Sequence, residues 1–378
     1  MSELHAAGKL REKHGALLGL IKAKPGELAH IDFVRFIAAM GIVAAHSVEL
    51  MLPRDFREAS HKLTEGFTLF VDVFFVLSGF VISYMYATRM NSVGDFLRYL
   101  QRRLARLVPL HWATLLAATL LYAALAMAHV PLNTRPDLSP ACLAAATALI
   151  HSWVDCGGNP PNGASWSISA EMVMYCAFPL IILTLRLPLL ARLMVFAIIL
   201  ALCAWLSKGV EAMSLAWTPL RAAPAFFLGT LIYSERHRLT FRIPSWTPLA
   251  GCLLLVVGSL LVVPRPILLA VAYASAALAI IADQNTAPNP LVQRLSPLGQ
   301  LTYSIYMLHG LIIMILANAI ADKLLKLPTP AMIAATFFTW IVVILVSACS
   351  FAYFEQPARI AIGRLGIRPA QRSPATPV

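Results

Sequence analysis

The segment IDFVRFIAAMGIVAAHSVEL, Ile31 to Leu50, has the apolar character of a buried helix yet carries Asp32, Arg35, His46 and Glu49. Ionisable groups inside a nonpolar helix are costly and point to function by default. Arg35 and His46 are eleven residues apart. Eleven steps of about 100° return to within about 20° of the starting face, and a rise of about 1.5 Å per residue separates the two by about 16 Å. One stripe thus carries a guanidinium near one end and an imidazole near the other. Imidazole suits proton transfer near neutral pH, and the guanidinium fork suits phosphate.

Two further segments hold carboxylates at the depth of His46, if the chain enters the membrane from the cytoplasm at Ile31. In EGFTLFVDVFFVLSGFVISYMYA, Asp72 lies about 9 Å below the outer end. In NGASWSISAEMVMYCAFPL, Glu171 lies about 10 Å in. A buried histidine–carboxylate cluster is a candidate for general acid/base chemistry; the bland alternative is a polar network that pins helices together. At the cytoplasmic end, FLRYLQRRLARLVPLHW sets Arg98, Arg102, Arg103 and Arg106 before another apolar run, with 98, 102 and 106, or 103 and 106, on one face. Alone, such a cluster is an ordinary basic anchor. Together with Arg35 it reads as an anion site able to make bidentate bonds to phosphate. Phosphates held at the inner face, with acid/base groups about 16 Å outward, fit an acyl-CoA: an anionic nucleotide, then a thin arm ending in a thioester.

Other polar residues have two readings each. His309 lines the donor channel or is a helix-packing histidine. Arg221 contacts the acceptor or snorkels to the outer border. Trp166 belongs to an aromatic belt or stacks on a sugar ring. Asp283 and Glu355 are expected to pair with local arginines, and Gly79 in LSGF to permit close helix packing.

These residues need a membrane bundle to hold them. The chain of 378 residues is 59% hydrophobic and 13% charged, with mean hydropathy +0.74, whereas soluble domains are about a quarter charged. Repeated apolar runs approach the roughly 20 residues that cross a bilayer. They predict an all-α polytopic protein with about ten transmembrane helices in one bundle. The expected spans are approximately 31–53, 66–87, 107–129, 164–185, 190–206, 218–233, 247–264, 266–283, 301–320 and 331–353. With both termini cytoplasmic, the greater part of the 30 Lys and Arg residues falls on the cytoplasmic side, as the positive-inside rule requires. The net charge of +12 is then explained by basic loops facing anionic headgroups of the lipid bilayer, without nucleic acid. Residues 1–30 lack a signal-peptide core and are expected to form a cytoplasmic N-terminal tail. Residues 31–359 form the transmembrane domain, and 360–378, polar and Pro-rich, are expected to be a disordered cytoplasmic tail. The six cysteines show no CxxC spacing, which argues against a metal or redox centre. Cys142 and Cys156 share one outer loop and either form a disulfide or remain free thiols.

In these motifs the chain resembles acyltransferase family 3, polytopic membrane O-acyltransferases. The likeness runs from about Ala29 to Arg359. It rests on the Arg, ten residues, His pattern of Arg35 and His46, on VDVFFVLSGFVIS (71–83), RRLARLVP (102–109), WSISAE (166–171), YSIYMLHG (303–310) and FEQPAR (354–359). The family usually has Leu where Ile168 stands, a mild departure. The resemblance implies transfer of an acyl group, most often acetyl from acetyl-CoA, to a hydroxyl of a surface or exported glycan at the bacterial inner membrane. It implies His46 as the catalytic residue, Arg35 as a donor-binding or catalytic one, and importance for Arg102, Arg103, Arg106 and Glu171. Some relatives carry an added extracytoplasmic domain. This chain ends soon after FEQPAR, so direct transfer within the membrane domain is expected, with Asp72 or Glu171 orienting His46. The route is either direct attack of the acceptor hydroxyl or a covalent acyl-His46 intermediate. The rival reading is a proton-coupled transporter of a glycan or lipid-linked intermediate, against which stand the lack of an inverted repeat and an unused arginine cluster.

Overall fold

In hydrocarbon there is no water to bond backbone N–H and C=O groups, so long apolar runs must satisfy them internally as helix. The computed structural model of the protein describes residues 28–51, 57–127, 129, 136–154, 160–215 and 218–365, and its regular elements there are helices throughout. In chain order they are α1 (Ala29–Ala45), α2 (Val48–Met51), α3 (Arg57–Phe67), α4 (Phe70–Tyr86), α5 (Val93–Met127), α6 (Pro140–Thr147), α7 (Trp166–Leu183), α8 (Leu189–Leu206), α9 (Val210–Leu215), α10 (Pro219–Glu235), α11 (Thr247–Leu260), α12 (Arg265–Asn285), α13 (Pro290–Leu295), α14 (Thr302–Ile312), α15 (Thr329–Ser350) and α16 (Gln356–Gly363). A 3-10 segment, Ser296–Leu301, leads into α14. The wider π-helix continues α14 over Ile313–Leu324 and α15 over Phe351–Glu355.

Among the described residues seven helical stretches are long and apolar enough to cross a membrane. The expected segments 31–53, 218–233 and 247–264 are the shorter helices α1, α10 and α11, of 17, 17 and 14 residues. The first of these departs most from expectation. Helix α1 stops at Ala45 rather than running to 53, because His46 and Ser47 form a turn. The Ser47 hydroxyl donates to the Val43 carbonyl (2.7 Å) and accepts from Trp340 Nε1 (2.9 Å), which ties the turn to α15. The tails 1–27 and 366–378 lie outside the described residues, and α16 carries helix to Gly363, into the segment expected to be disordered from 360.

The most apolar 18-residue window of Lys62–Tyr86 is 78% buried and forms the centre of the bundle, whereas α8, 6% buried, is an outer wall. Helices α4 and α10 meet at the tightest seam. A methyl group on Gly79 would fall 2.0 Å from the Phe226 carbonyl oxygen, and one on Gly229 would fall 2.0 Å from that of Val76. Only hydrogen in place of Cβ allows backbones this close, as expected for Gly79. The Ser83 hydroxyl donates to Thr230 Oγ1 across the same seam (3.0 Å).

Helices α1 and α14 run parallel: Gly299 abuts the backbone of Asp32 at one end, and His309 faces His46 at the other. Asp283 corrects an expectation, since its partner is not arginine. Its carboxylate accepts the backbone N–H groups of His30 and Ile31 (2.8 Å each) and lies 3.1 Å from His30 Nδ1. The first N–H groups of a helix have no intrahelical partner, and a carboxylate there also complements the helix dipole. Asp283 thereby docks the start of α1 on α12.

Candidate active site

A cavity lies between α1, α4, α5, α7 and α14. Each helix contributes one face. From α4 come Val71, Phe74, Phe75, Leu77, Ser78, Val81 and Ile82, all within about 160° of the helix circumference. Helix α1 supplies Arg35, α5 supplies Arg103 and Arg106, α7 supplies Ser167, Glu171 and Tyr175, and α14 supplies Tyr303 and Tyr306.

Three guanidiniums therefore converge on one space. Arg103, only 7% exposed, donates to Tyr86 Oη (3.1 Å) and lies over the Tyr86 ring, 5.2 Å from its centroid. Arg35 pairs with Asp32 one turn back at 3.1 Å. Arg106, whose nearest charges include Arg35, Arg103 and Glu355, has no hydrogen-bond or ion-pair partner among the described residues. Arg102 departs from the expected set: it is exposed and does not line the cavity, although its charge reaches Tyr86. Glu355 is buried, accepts from the Ser304 hydroxyl (2.7 Å), and has Arg106, Arg359 and Arg35 among its charged neighbours.

The two carboxylates expected beside His46 are elsewhere. Glu171 accepts from the Ser78 hydroxyl, whose oxygen is also 3.4 Å from Tyr175 Oη, and it lines the arginine cavity. Asp72 is fully buried against Arg221, with N–O distances of 2.6, 3.1 and 3.3 Å. Arg221 also donates to the Thr68 carbonyl (2.9 Å) and lies over the Trp166 ring, 5.3 Å from its centroid. Neighbouring Arg265 donates to Ser214 Oγ (2.7 Å), Thr68 Oγ1 (3.0 Å) and the Glu65 carbonyl. The reason is angular. Asp72 shares a stripe of α4 with Val76, Gly79 and Ser83, which faces α10, and six residues turn it about 120° away from Ser78 and the cavity. Arg221 is thus neither an acceptor contact nor a snorkelling anchor, and Trp166 is a buried cation–π partner rather than part of an interfacial belt.

His46 caps the C-terminal end of α1 and is exposed. Its neighbour is His309, with ring centroids 5.1 Å apart and planes tilted by 39°. His309 is 1% exposed, its Nδ1 lies 3.1 Å from the Ile305 carbonyl, and its Nε2 is buried without a partner. The Tyr306 ring is 5.8 Å from His309, and Tyr306 Oη accepts from Ser167 (2.8 Å) on the cavity wall. The arginine cavity and His46 are thereby connected through two residues of α14.

A second polar knot carries no signal in the sequence. His111 and His151 stack with centroids 6.0 Å apart and planes within 6°. His111 Nε2 lies 2.8 Å from the Ala146 carbonyl, and His151 Nε2 lies 3.0 Å from Ser165 Oγ. Asn162 Nδ2 donates to the Met307 carbonyl (3.2 Å), so the knot ties the segment before α7 to α14. Burial, then the charge of His111, pushes the His151 imidazole down to about 4. Cys142 is disulfide-bonded; Cys156 lies outside the described residues.

Comparison with known proteins adds three findings. A family model described as an acyltransferase domain, that of acyltransferase family 3, matches residues 28–352. A protein of Streptomyces mycarofaciens named acyltransferase MdmB is 34% identical over 157 residues, which are 40% of this chain and 38% of that protein. The chain therefore matches well under half the length of this curated relative. No solved structure matches.

Proposed function

Because the chain belongs to acyltransferase family 3 and is a membrane acyltransferase, we propose that it moves an acyl group, most simply acetyl, from cytoplasmic acyl-CoA to a hydroxyl of a surface or exported glycan. One observation carries this reading. Three guanidiniums line a cavity at one end of α1 and α14, and two imidazoles meet at the other, about 16 Å away along α1. An acyl-CoA has that layout, with anionic phosphates at one end of a thin arm and a thioester at the other. Family membership removes the transporter reading.

In this scheme Arg35, Arg103 and Arg106 hold the nucleotide phosphates at the cytoplasmic end, the orientation favoured by the basic loops. Neutral His46 takes the proton of the acceptor hydroxyl as its oxygen attacks the thioester carbonyl. The tetrahedral intermediate expels the CoA thiolate, which takes the proton back from His46. One ester forms, one thioester breaks, and His46 ends unchanged. Asp72 has no part in the chemistry, and Glu171 acts within the arginine cavity. The exposure of His46 suits an acceptor arriving from outside the bundle.

The test is thioester cleavage by the full-length chain in lipid nanodiscs with acetyl-CoA, together with NMR of the surface glycans of cells that express it. His46→Ala is expected to abolish both cleavage and glycan acetylation while the protein inserts and purifies normally. Undiminished turnover in that variant refutes the assignment.

A further inference from the structure

The buried imidazole of His309 has a use that follows from its hydrogen bonding. Its Nδ1 lies 3.1 Å from the Ile305 carbonyl, and a carbonyl can only accept, so Nδ1 carries the proton. A second proton on Nε2 would place an unpaired charge at a site 1% exposed. Neutral His309 therefore presents a lone pair at Nε2, and this atom is buried and unpartnered. Whatever completes it must be a hydrogen-bond donor.

The adjacent ring is His46, with its centroid 5.1 Å away. Two imidazoles joined by an N–H···N bond of ordinary length have centroids about 5 Å apart. The observed separation is within reach of such a bond, although His309 Nε2 has no partner in the present ring orientations. We propose that His309 is a positioning residue for His46, accepting one ring N–H and so leaving the other nitrogen of His46 as the base that faces the acceptor hydroxyl. The arrangement does for this site what a buried carboxylate does in a Ser-His-Asp triad, with a neutral acceptor in its place. It also accounts for where the carboxylates lie: Asp72 belongs to Arg221 and Glu171 to Ser78, so neither is needed at His46. Residues on consecutive turns of α14 then serve both ends of the reaction path, Tyr303 and Tyr306 at the cavity wall and His309 at His46.

This inference rests on reading His46 as the base, and its test separates the two. Two variants of the full-length chain in nanodiscs are compared with wild type for acetyl-CoA turnover. His309→Asn keeps a polar atom for the Ile305 carbonyl but has nothing at the position of Nε2. His309→Gln places an amide oxygen near that position. The Asn variant is expected to lose kcat by about 100-fold, the scale of a correctly placed proton-transfer group. Its KM for acetyl-CoA should stay unchanged, and the Gln variant should recover most of the loss. Wild-type kcat in a folded Asn variant, or a raised KM with kcat preserved, overturns the positioning role while leaving His46 in place. If the Asn variant does not fold, a folded Gln variant as impaired as His46→Ala also overturns it. Activity that survives His46→Ala overturns the reading of His46, and this one with it.

Discussion

Asp72 offers the sharpest test of how the polar residues divide between chemistry and scaffold. Its carboxylate receives three contacts from the Arg221 guanidinium, the closest at 2.6 Å, and both side chains are at most 1% exposed. Replacing Asp72 with Ala leaves Arg221 with one carbonyl, that of Thr68, and the face of Trp166. Arg265 lies near enough to be sensed electrostatically and adds a like charge. Removing one member of a buried ion pair costs about 3–5 kcal/mol, because the remaining charge is uncompensated. The Trp166 face is already engaged in the wild-type protein and offsets none of this loss. A loss of a few kcal/mol is therefore expected, read as a lowered melting temperature of the detergent-solubilised protein. The decisive variant is the double replacement Asp72→Leu with Arg221→Met. Swapping a buried pair for apolar residues of similar volume is often neutral or stabilising, so the double variant should melt near wild type and turn over acetyl-CoA at near wild-type kcat. If Asp72→Asn melts normally but is inactive, or if the double variant is stable and inactive, the scaffold assignment is wrong and Asp72 takes part in the reaction.

The arginines should separate by position. Arg106→Gln, removing an unpartnered guanidinium on the cavity wall, is expected to raise KM for acetyl-CoA by at least about ten-fold, the worth of one charge-assisted hydrogen bond, with little change in kcat. Arg102→Gln, outside the cavity and exposed, should shift it by less than about two-fold, consistent with the small value of exposed charges; equal effects of the two would refute the cavity as the donor site. The His111–His151 knot predicts a pH dependence. His151 is held down to about 4 against about 6.5 in an unfolded chain, so the folded state favours its neutral form. That stability is fully present above about pH 6.5 and is lost as pH falls toward 4, by up to about 3 kcal/mol. Melting temperature followed from pH 7 to pH 4 should show this decline, and His151→Asn should flatten it.

How much of this was legible in the sequence turns on the difference between depth and direction. Helical rise is uniform, so counting residues placed Arg35 and the arginines before the third span at one end of the bundle and His46 at the other. Direction is harder, because α4 is apolar on every side and central helices offer no polar face to orient them. Asp72 lies at the depth expected of a partner for His46 and points elsewhere. Yet a signal was present. Asp72 and Gly79 are seven residues apart, within about 20° of one face, and Gly79 reads as a close-packing position. A residue on the same stripe as such a glycine faces the helix that approaches it, here α10, and the cavity must lie on the opposite side, where Ser78 is. The pairing of His46 with His309 had a similar latent signal. Both belong to odd-numbered expected spans, which run in the same direction, although residue counting sets His309 only about 12 Å from the cytoplasmic side, shallower than His46. The missing fact was adjacency: hydropathy does not say that α1 packs beside α14, and the close approach of Gly299 to Asp32 that fixes it links residues far apart in the chain. The turn at His46 had no such signal, since an Ala- and Val-rich run predicts continued helix. Its cause is long-range, the Trp340 bond to Ser47. That bond leaves His46 exposed at a helix end rather than within a continuous span.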